Sequence, residues 1–276
     1  MEKIVFVGAG SMAEAVIAGI CKQKSVDSSS VYVMNRSDDD RLRHLQESYG
    51  ISLVSSNRNE LKSADLIVLA TKPKDVQVAM EQIVPLIKKE TVVLSVLAGV
   101  PISAIELGLG LRGIARSMPN TSAAIGKSAT GVAWNSIIDK KDKQQILTLL
   151  GSIGIVVEVE EDQLHAVTAL SGSGPAYVYY LAEALEKAAI QAGIDQPIAR
   201  ELIIQTLDGA ASMMQKTQEE PDILRKNVTS PGGTTEAGIR ALSEGGFQEA
   251  VQSCIQGAET RSRELGKANG KVKSSS

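Results

Sequence analysis

The residues best suited to chemistry in this chain are Gly8-Ala9-Gly10, set directly behind the apolar run Ile4-Val5-Phe6-Val7 and ahead of a helix-compatible segment from Ser11 to about Lys24. A strand that ends in such a turn and feeds a helix can grip a dinucleotide. Gly8 permits the tight turn and Gly10 lets backbone approach a pyrophosphate. Ala13 stands where a third glycine is usual, small enough for helix and strand to pack closely. Ala9, Ser11 and Met12 complete the turn and the helix start, where unpaired N–H groups and the positive end of the helix dipole face the phosphates.

The second apolar run, Val31-Tyr32-Val33-Met34, leads into Asn35-Arg36-Ser37. A site for NAD usually carries Asp or Glu there, accepting hydrogen bonds from the adenosine ribose. No carboxylate occupies the position. An arginine beside two small polar residues suits a 2′-phosphate through charge-assisted contacts. The plainer alternative makes Arg36 a solvated loop charge, with Asp38-Asp39-Asp40 capping the next helix. The expectation is NADP(H), preferred over NAD(H).

Ligands of open parallel sheets lie outside the carboxyl ends of the strands. Those ends add Ala70, Thr71, Lys72 and Pro73, then Val96, Leu97 and Ala98, then Asn120 as cofactor candidates. Pro73 also suits an ordinary helix start. Asn57, after the third strand, is either a contact near the adenosine or an N-cap.

Two segments further on hold more small and polar residues than structure requires. Ser171-Gly172-Ser173-Gly174 precedes Pro175 and a long helix, and close helix packing competes strongly as its explanation. Ser230-Pro231-Gly232-Gly233-Thr234-Thr235 stands directly before Glu236 and a short helix. Consecutive glycines at a helix N-terminus expose backbone N–H groups, a cradle for a carboxylate, and the two threonines can address a neighbouring polar atom.

The elements that must position these residues follow from hydrophobic pattern. Strands and helices alternate through the first half: a polar helix over Asp38–Tyr49 ending at Gly50, a strand near Ile51–Val54, and a helix around Glu60. Buried strands at Asp65–Ala70 and Thr91–Ser95 flank a helix over Asp75–Lys88. Strands near Gly113–Ser117, Ala129–Trp134 and Ile155–Val159, with a helix around Lys140–Leu150, extend the sheet. From about Glu160 strand-like runs disappear. Helices are expected from Pro175 to Gly193, through Leu202, Thr206, Ala210 and Met213, and over Pro221–Asn227, Thr235–Glu244 and Phe247–Gly266. The expected fold is α/β, a doubly wound, mainly parallel sheet in residues 1–162, followed by an all-α domain in residues 163–276. The helical part is apolar on more than one face, which points to a homodimer through it.

Composition narrows the partners. With 276 residues and a formal net charge of −3, the chain is not built for nucleic acid or an anionic membrane. Only Lys267 to Lys273 is basic, and with Ser274-Ser275-Ser276 it reads as a frayed, solvated end. No apolar run is long enough to span a membrane and the chain opens with a strand, so a cytoplasmic protein is expected. The two cysteines, Cys21 and Cys254, read as small buried hydrophobes rather than a disulfide. With only His44 and His165 besides, no metal-ligand cluster emerges.

Taken together and in order, the Gly8 turn, Ala70-Thr71-Lys72-Pro73, Met118-Pro119-Asn120-Thr121, Ser171 to Tyr177, and Ser230 to Thr235 resemble a pyrroline-5-carboxylate reductase, the last enzyme of proline biosynthesis. The resemblance spans almost the whole chain. It implies a Rossmann domain followed by a helical dimerisation domain, with the site formed where the two meet. It also implies that the Ser230–Gly233 backbone holds the substrate carboxylate, with Thr234 beside it, that Thr235 hydrogen-bonds the ring nitrogen, and that Asn227 supports the loop. The implied reaction is hydride transfer from NADPH to the imine carbon of 1-pyrroline-5-carboxylate. Ser122 and Leu97 depart from the family's usual proline and smaller residue, which bears on pocket shape. A β-hydroxyacid dehydrogenase would carry a catalytic lysine on the long helix. Tyr177-Val178-Tyr179-Tyr180-Leu181 has none and Lys187 comes too late.

Overall fold

The computed structural model describes residues 2–24 and 26–270. Beyond residue 270 the basic tail discussed above lies outside the described residues. By contacts the chain divides into two compact units, one of Met1–Pro175 with Gln256–Ser276 and one of Ala176–Ile255.

The first unit is built on β1 (Ile4–Val7), β2 (Val31–Met34), β3 (Ser52–Leu53), β4 (Leu66–Leu69), β5 (Val92–Ser95), β6 (Ile114–Met118), β7 (Ser128–Trp134) and β8 (Gly154–Glu158). They form one sheet in the order β3-β2-β1-β4-β5-β6-β7-β8. Every pairing is parallel except β6 with β7. β1, β4 and β5 are buried on both faces, which is why they read as unbroken apolar runs rather than alternating ones. One core on one face gathers Phe6, Ile17, Leu66 and Leu94; the other face buries Val5, Ile67, Met80 and Ile105. The order reverses between β1 and β4, the switch point of a doubly wound Rossmann sheet.

The helices of this unit are α1 (Ser11–Lys22), α2 (Asp39–Tyr49), α3 (Asn59–Lys62), α4 (Val76–Ile83), α5 (Ile102–Leu109), α6 (Lys140–Gly151) and α7 (Leu164–Val167). Local chemistry explains most ends. The Asp38 carboxylate accepts the Arg41 N–H at 2.9 Å to start α2, and Gly50, with φ 67°, closes it. Two expectations need correction. α4 stops at Ile83 rather than near Lys88, because Pro85 has no N–H to donate to the Glu81 carbonyl, although Val84 before it keeps helical backbone angles. α5 was not anticipated: its start is capped from far away, by Glu161 Oε1 accepting the Ile102 N–H at 2.7 Å.

The second unit is helical, with α8 (Gly174–Gln191), α9 (Gln196–Thr217), α10 (Pro221–Asn227), α11 (Thr234–Glu244) and the first part of α12 (Phe247–Gly270). Among its described residues Ala199 is the one buried hydrophobic, while Tyr179, Tyr180, Leu202 and Ile204 are more than half exposed. These helices bury little within the unit and leave apolar faces exposed. Cys254 accordingly lies exposed, not buried as expected, and Cys21 is half-buried; both are free thiols. No helix among the described residues is long and apolar enough to cross a membrane.

The last turns of α12 return to the sheet-bearing unit. Arg263 forms a two-pronged pair with Asp162 at 2.6 and 2.9 Å, and His165 Nδ1 lies 2.8 Å from Ser262 Oγ. Burial, with Arg116 and Arg263 nearby, holds His165 below the usual imidazole value. It is a packed, neutral side chain, as its helical context suggests.

Candidate active site

The carboxyl end of β1 is stitched by backbone to those of β4 and β2. The Ala70 N–H donates to the Val7 carbonyl and the Gly8 N–H to the Met34 carbonyl, both at 2.9 Å. Gly8 has φ +113°, and a Cβ there would stand 2.4 Å from the Ala70 carbonyl oxygen and 2.6 Å from the Thr71 nitrogen. This glycine is demanded by the approach of two strands as much as by the turn. Gly10 differs: a Cβ on it would meet nothing within 4 Å. Gly10 is the N-cap of α1, and no side chain caps the first N–H groups that follow, at Ser11 and Met12. Ala9 is buried beneath the turn.

Beside this open cradle stands the one buried side-chain polar atom without a partner among the described residues, Thr71 Oγ1. An orphaned hydroxyl at a switch point, next to uncapped helix amides, is what a polar ligand would satisfy. The residues present therefore fit a dinucleotide. Lys72 is exposed and Pro73 opens a short 3₁₀ turn that runs into α4. Val96 and Leu97 are buried at the end of β5, with Ala98 half-buried.

Further along the sheet edge, Asn35 Oδ1 accepts the Arg36 N–H at 2.8 Å, so Asn35 shapes the turn. The Arg36 side chain is exposed and makes no ion pair or hydrogen bond among the described residues. Asn57 is exposed and its Oδ1 accepts the Asn59 N–H at 3.2 Å, an Asx turn just ahead of α3, whose N-cap is Arg58 and not the Asn57 expected as the alternative.

Asn120 has its side chain committed to structure. Its Oδ1 accepts the Ser122 N–H at 3.0 Å and its Nδ2 donates to the Ser171 carbonyl at 2.9 Å. Ser171 belongs to a π-helical turn over Thr168–Gly172, where Gly172 packs so closely that a Cβ would lie 3.0 Å from Met118 Cε. Close packing accounts for Gly172, whereas Gly174 has open space where a Cβ would stand; Asn120 holds the turn through the Ser171 carbonyl.

The Ser230 loop of the helical unit has a defined turn. The Gly233 N–H donates to the Ser230 carbonyl at 3.0 Å across Pro231-Gly232, and Gly232 has φ +71°, a type II turn with Pro and Gly at their favoured positions. The Gly232 N–H donates to Glu236 Oε2 at 2.7 Å. The two glycine amides expected to grip a carboxylate are thus engaged within the loop. What stays open is the start of α11: Gly233 is its N-cap without a side-chain cap, and the first backbone bond runs from Ala237 to Gly233. The amides of Thr234, Thr235 and Glu236 precede that bond, and the loop from Ser230 to Thr235 is exposed apart from half-buried Gly233. Asn227 ends α10 with an exposed side chain. Glu236 was readable as a helix-start carboxylate but not as the partner of Gly232; that bond depends on the turn.

Residues 161–265 match a family model described as pyrroline-5-carboxylate reductase dimerisation, and residues 3–99 match one described as NADP oxidoreductase, coenzyme F420-dependent. Pyrroline-5-carboxylate reductase 2 of Bacillus subtilis is 47% identical over 266 residues, covering 96% of this chain and 95% of that protein. The solved structure of a pyrroline-5-carboxylate reductase from Coxiella burnetii superposes with a TM-score of 0.87 at 36% identity, covering 96% of this chain and 98% of the other. The crystal structure of the Plasmodium falciparum pyrroline carboxylate reductase with NADP bound gives a TM-score of 0.86 at 27% identity, covering 96% and 99%. A sheet with its glycine turn at the switch point, a proline–glycine turn opening a helix, and likeness at this level over nearly the full length agree on one conclusion: this chain belongs to the pyrroline-5-carboxylate reductase family.

Proposed function

We propose that this protein reduces 1-pyrroline-5-carboxylate to L-proline with NADPH, the final step of proline biosynthesis, in the cytoplasm. The observation that carries the substrate is the Ser230–Thr235 turn, which opens α11 with uncapped amides and sets Thr235 at its second position. Those amides hold the substrate carboxylate at the positive end of the helix. The turn itself, Ser230 with Gly232 and Gly233, sets their direction, and Asn227 supports it from the end of α10. The Thr235 hydroxyl hydrogen-bonds the ring nitrogen and orients the imine carbon. A protonated cyclic imine is already electrophilic, so orientation is the main demand on the protein.

When bound, a reduced nicotinamide supplies the hydride. Ala9 to Met12 hold the pyrophosphate at the turn that Gly8 makes possible, Arg36 binds the 2′-phosphate, and Ala70 to Pro73, Val96 to Ala98 and Asn57 line the remainder of the dinucleotide, with Asn120 acting through the Ser171 turn it holds. In this reading residues 1–162 form the NADP-binding domain and residues 163–276 the dimerisation and substrate domain. The exposed apolar faces of α8 and α9 support a homodimer through the latter.

NADPH oxidation in the presence of 1-pyrroline-5-carboxylate tests the activity. The expected result is turnover with this ring far above that with the six-membered homologue; equal rates would overturn the substrate assignment. Arg36→Ala should weaken NADPH by about tenfold and leave NADH unchanged, as expected for one lost charge-assisted phosphate contact. Wild-type protein using NADH more efficiently than NADPH would remove Arg36 from that role. Light scattering should report a dimer or a larger even assembly, and a stable, active monomer would defeat the dimer.

A further inference from the structure

Arg41, in the first turn of α2, reaches back to the glycine turn. Its Nε donates to the Ala9 carbonyl at 2.9 Å and its Nη2 to the Glu14 carboxylate in the first turn of α1. The two side chains are 25% and 24% exposed. Glu14 also takes His44 Nε2 and the Tyr49 hydroxyl, each at 3.1 Å. Burial alone would raise Glu14, but hydrogen bonds from Arg41, His44 and Tyr49 hold it below the usual carboxylate range. It stays ionised beside the guanidinium. Arg41 is therefore neutralised at short range, with its Nε and Nη2 donors directed at protein.

Peptide planarity gives this contact a consequence. No described peptide bond is cis, and in a trans unit the C=O and N–H point in opposite directions. Anchoring the Ala9 oxygen on Arg41 turns the Gly10 N–H to the far side, and the space a Gly10 side chain would enter is empty. Released from Arg41, the same peptide could turn its carbonyl oxygen toward an incoming anion, which is repulsive.

We propose that Arg41 is a positioning residue for the dinucleotide: it locks the Ala9–Gly10 peptide so that an N–H, not a carbonyl, faces the pyrophosphate. This rests on the dinucleotide reading of the Gly8 turn. Because the pyrophosphate is common to both nicotinamide dinucleotides, Arg41 serves affinity and not the choice between them.

Fluorescence titration with NADPH and NADH, and calorimetry with 2′-AMP, which lacks the pyrophosphate, test this on the whole protein. R41A should weaken NADPH and NADH by the same factor, about ten- to thirtyfold, with 2′-AMP changed by less than about twofold. Turnover at saturating NADPH should stay near wild type, and R41Q, whose amide can still donate to the Ala9 oxygen, should recover part of the affinity. If R41A does not fold, R41K carries the same test, since one ammonium cannot reproduce the planar fork to both partners. Loss confined to NADPH would overturn the proposal by making Arg41 a 2′-phosphate ligand. A lower Tm with both affinities unchanged would overturn it by reducing Arg41 to a brace between helices. Wild-type protein that binds neither dinucleotide would instead defeat the cofactor reading.

Discussion

Gly8→Ala is expected to lower Tm by about 10 °C and to abolish NADPH binding. The added methyl would stand 2.4 Å from the Ala70 oxygen and 2.6 Å from the Thr71 nitrogen, backbone atoms that a rotamer change cannot move. The φ of +113° is itself strained for any side chain. Strain and overpacking of this kind cost on the order of 3–5 kcal/mol together, and a chain of this length loses about 2–4 °C per kcal/mol. Relief would require β1 and β4 to part, breaking the Ala70-to-Val7 bond that seats Thr71 beside the turn. Gly10→Ala is the informative contrast. Its φ of −72° suits alanine and its surroundings are open, so Tm should hold while NADPH affinity falls. A thermal scan and a titration on both variants separate the packing glycine from the ligand glycine. Gly10→Ala with unchanged affinity would take the pyrophosphate out of the turn.

Thr235→Ala should lower kcat by about ten- to a hundredfold, the worth of one hydrogen bond to a charged reacting group, with NADPH affinity unchanged. Thr235 is an exposed residue in the first turn of α11, where alanine is a good helix former, so stability should barely move. Thr235→Ser keeps the hydroxyl and should restore most of the rate. Steady-state kinetics with both substrates varied, together with a cofactor titration, reads the split. An unchanged kcat would remove Thr235 from the mechanism and leave the loop a carboxylate holder alone.

Much of the architecture was legible in the residues because its causes are local. Unbroken apolar runs marked β1, β4 and β5, since central parallel strands are buried on both faces. Asp38 and Gly50 bounded α2 by chemistry within a turn of the chain, and Pro221 opened α10 where a proline fits. α5 stayed hidden because its cap, Glu161, comes from a distant part of the chain. Pro85, by contrast, was in plain view and still outweighed by the apolar period that runs past it.

For the site, glycine spacing in the amino-acid sequence alone located both turns, each directly ahead of a helix whose first amides no side chain caps. Which amides remain open was a matter for the tertiary structure. Glu236 takes the Gly232 N–H and the Ser230 carbonyl takes that of Gly233, moving the open donors on to the start of α11. Arg41 likewise reads as an ordinary helix cation until the fold sets Ala9 within its reach. Spacing along the chain records which groups are available; only the folded backbone decides which of them have already been satisfied by one another.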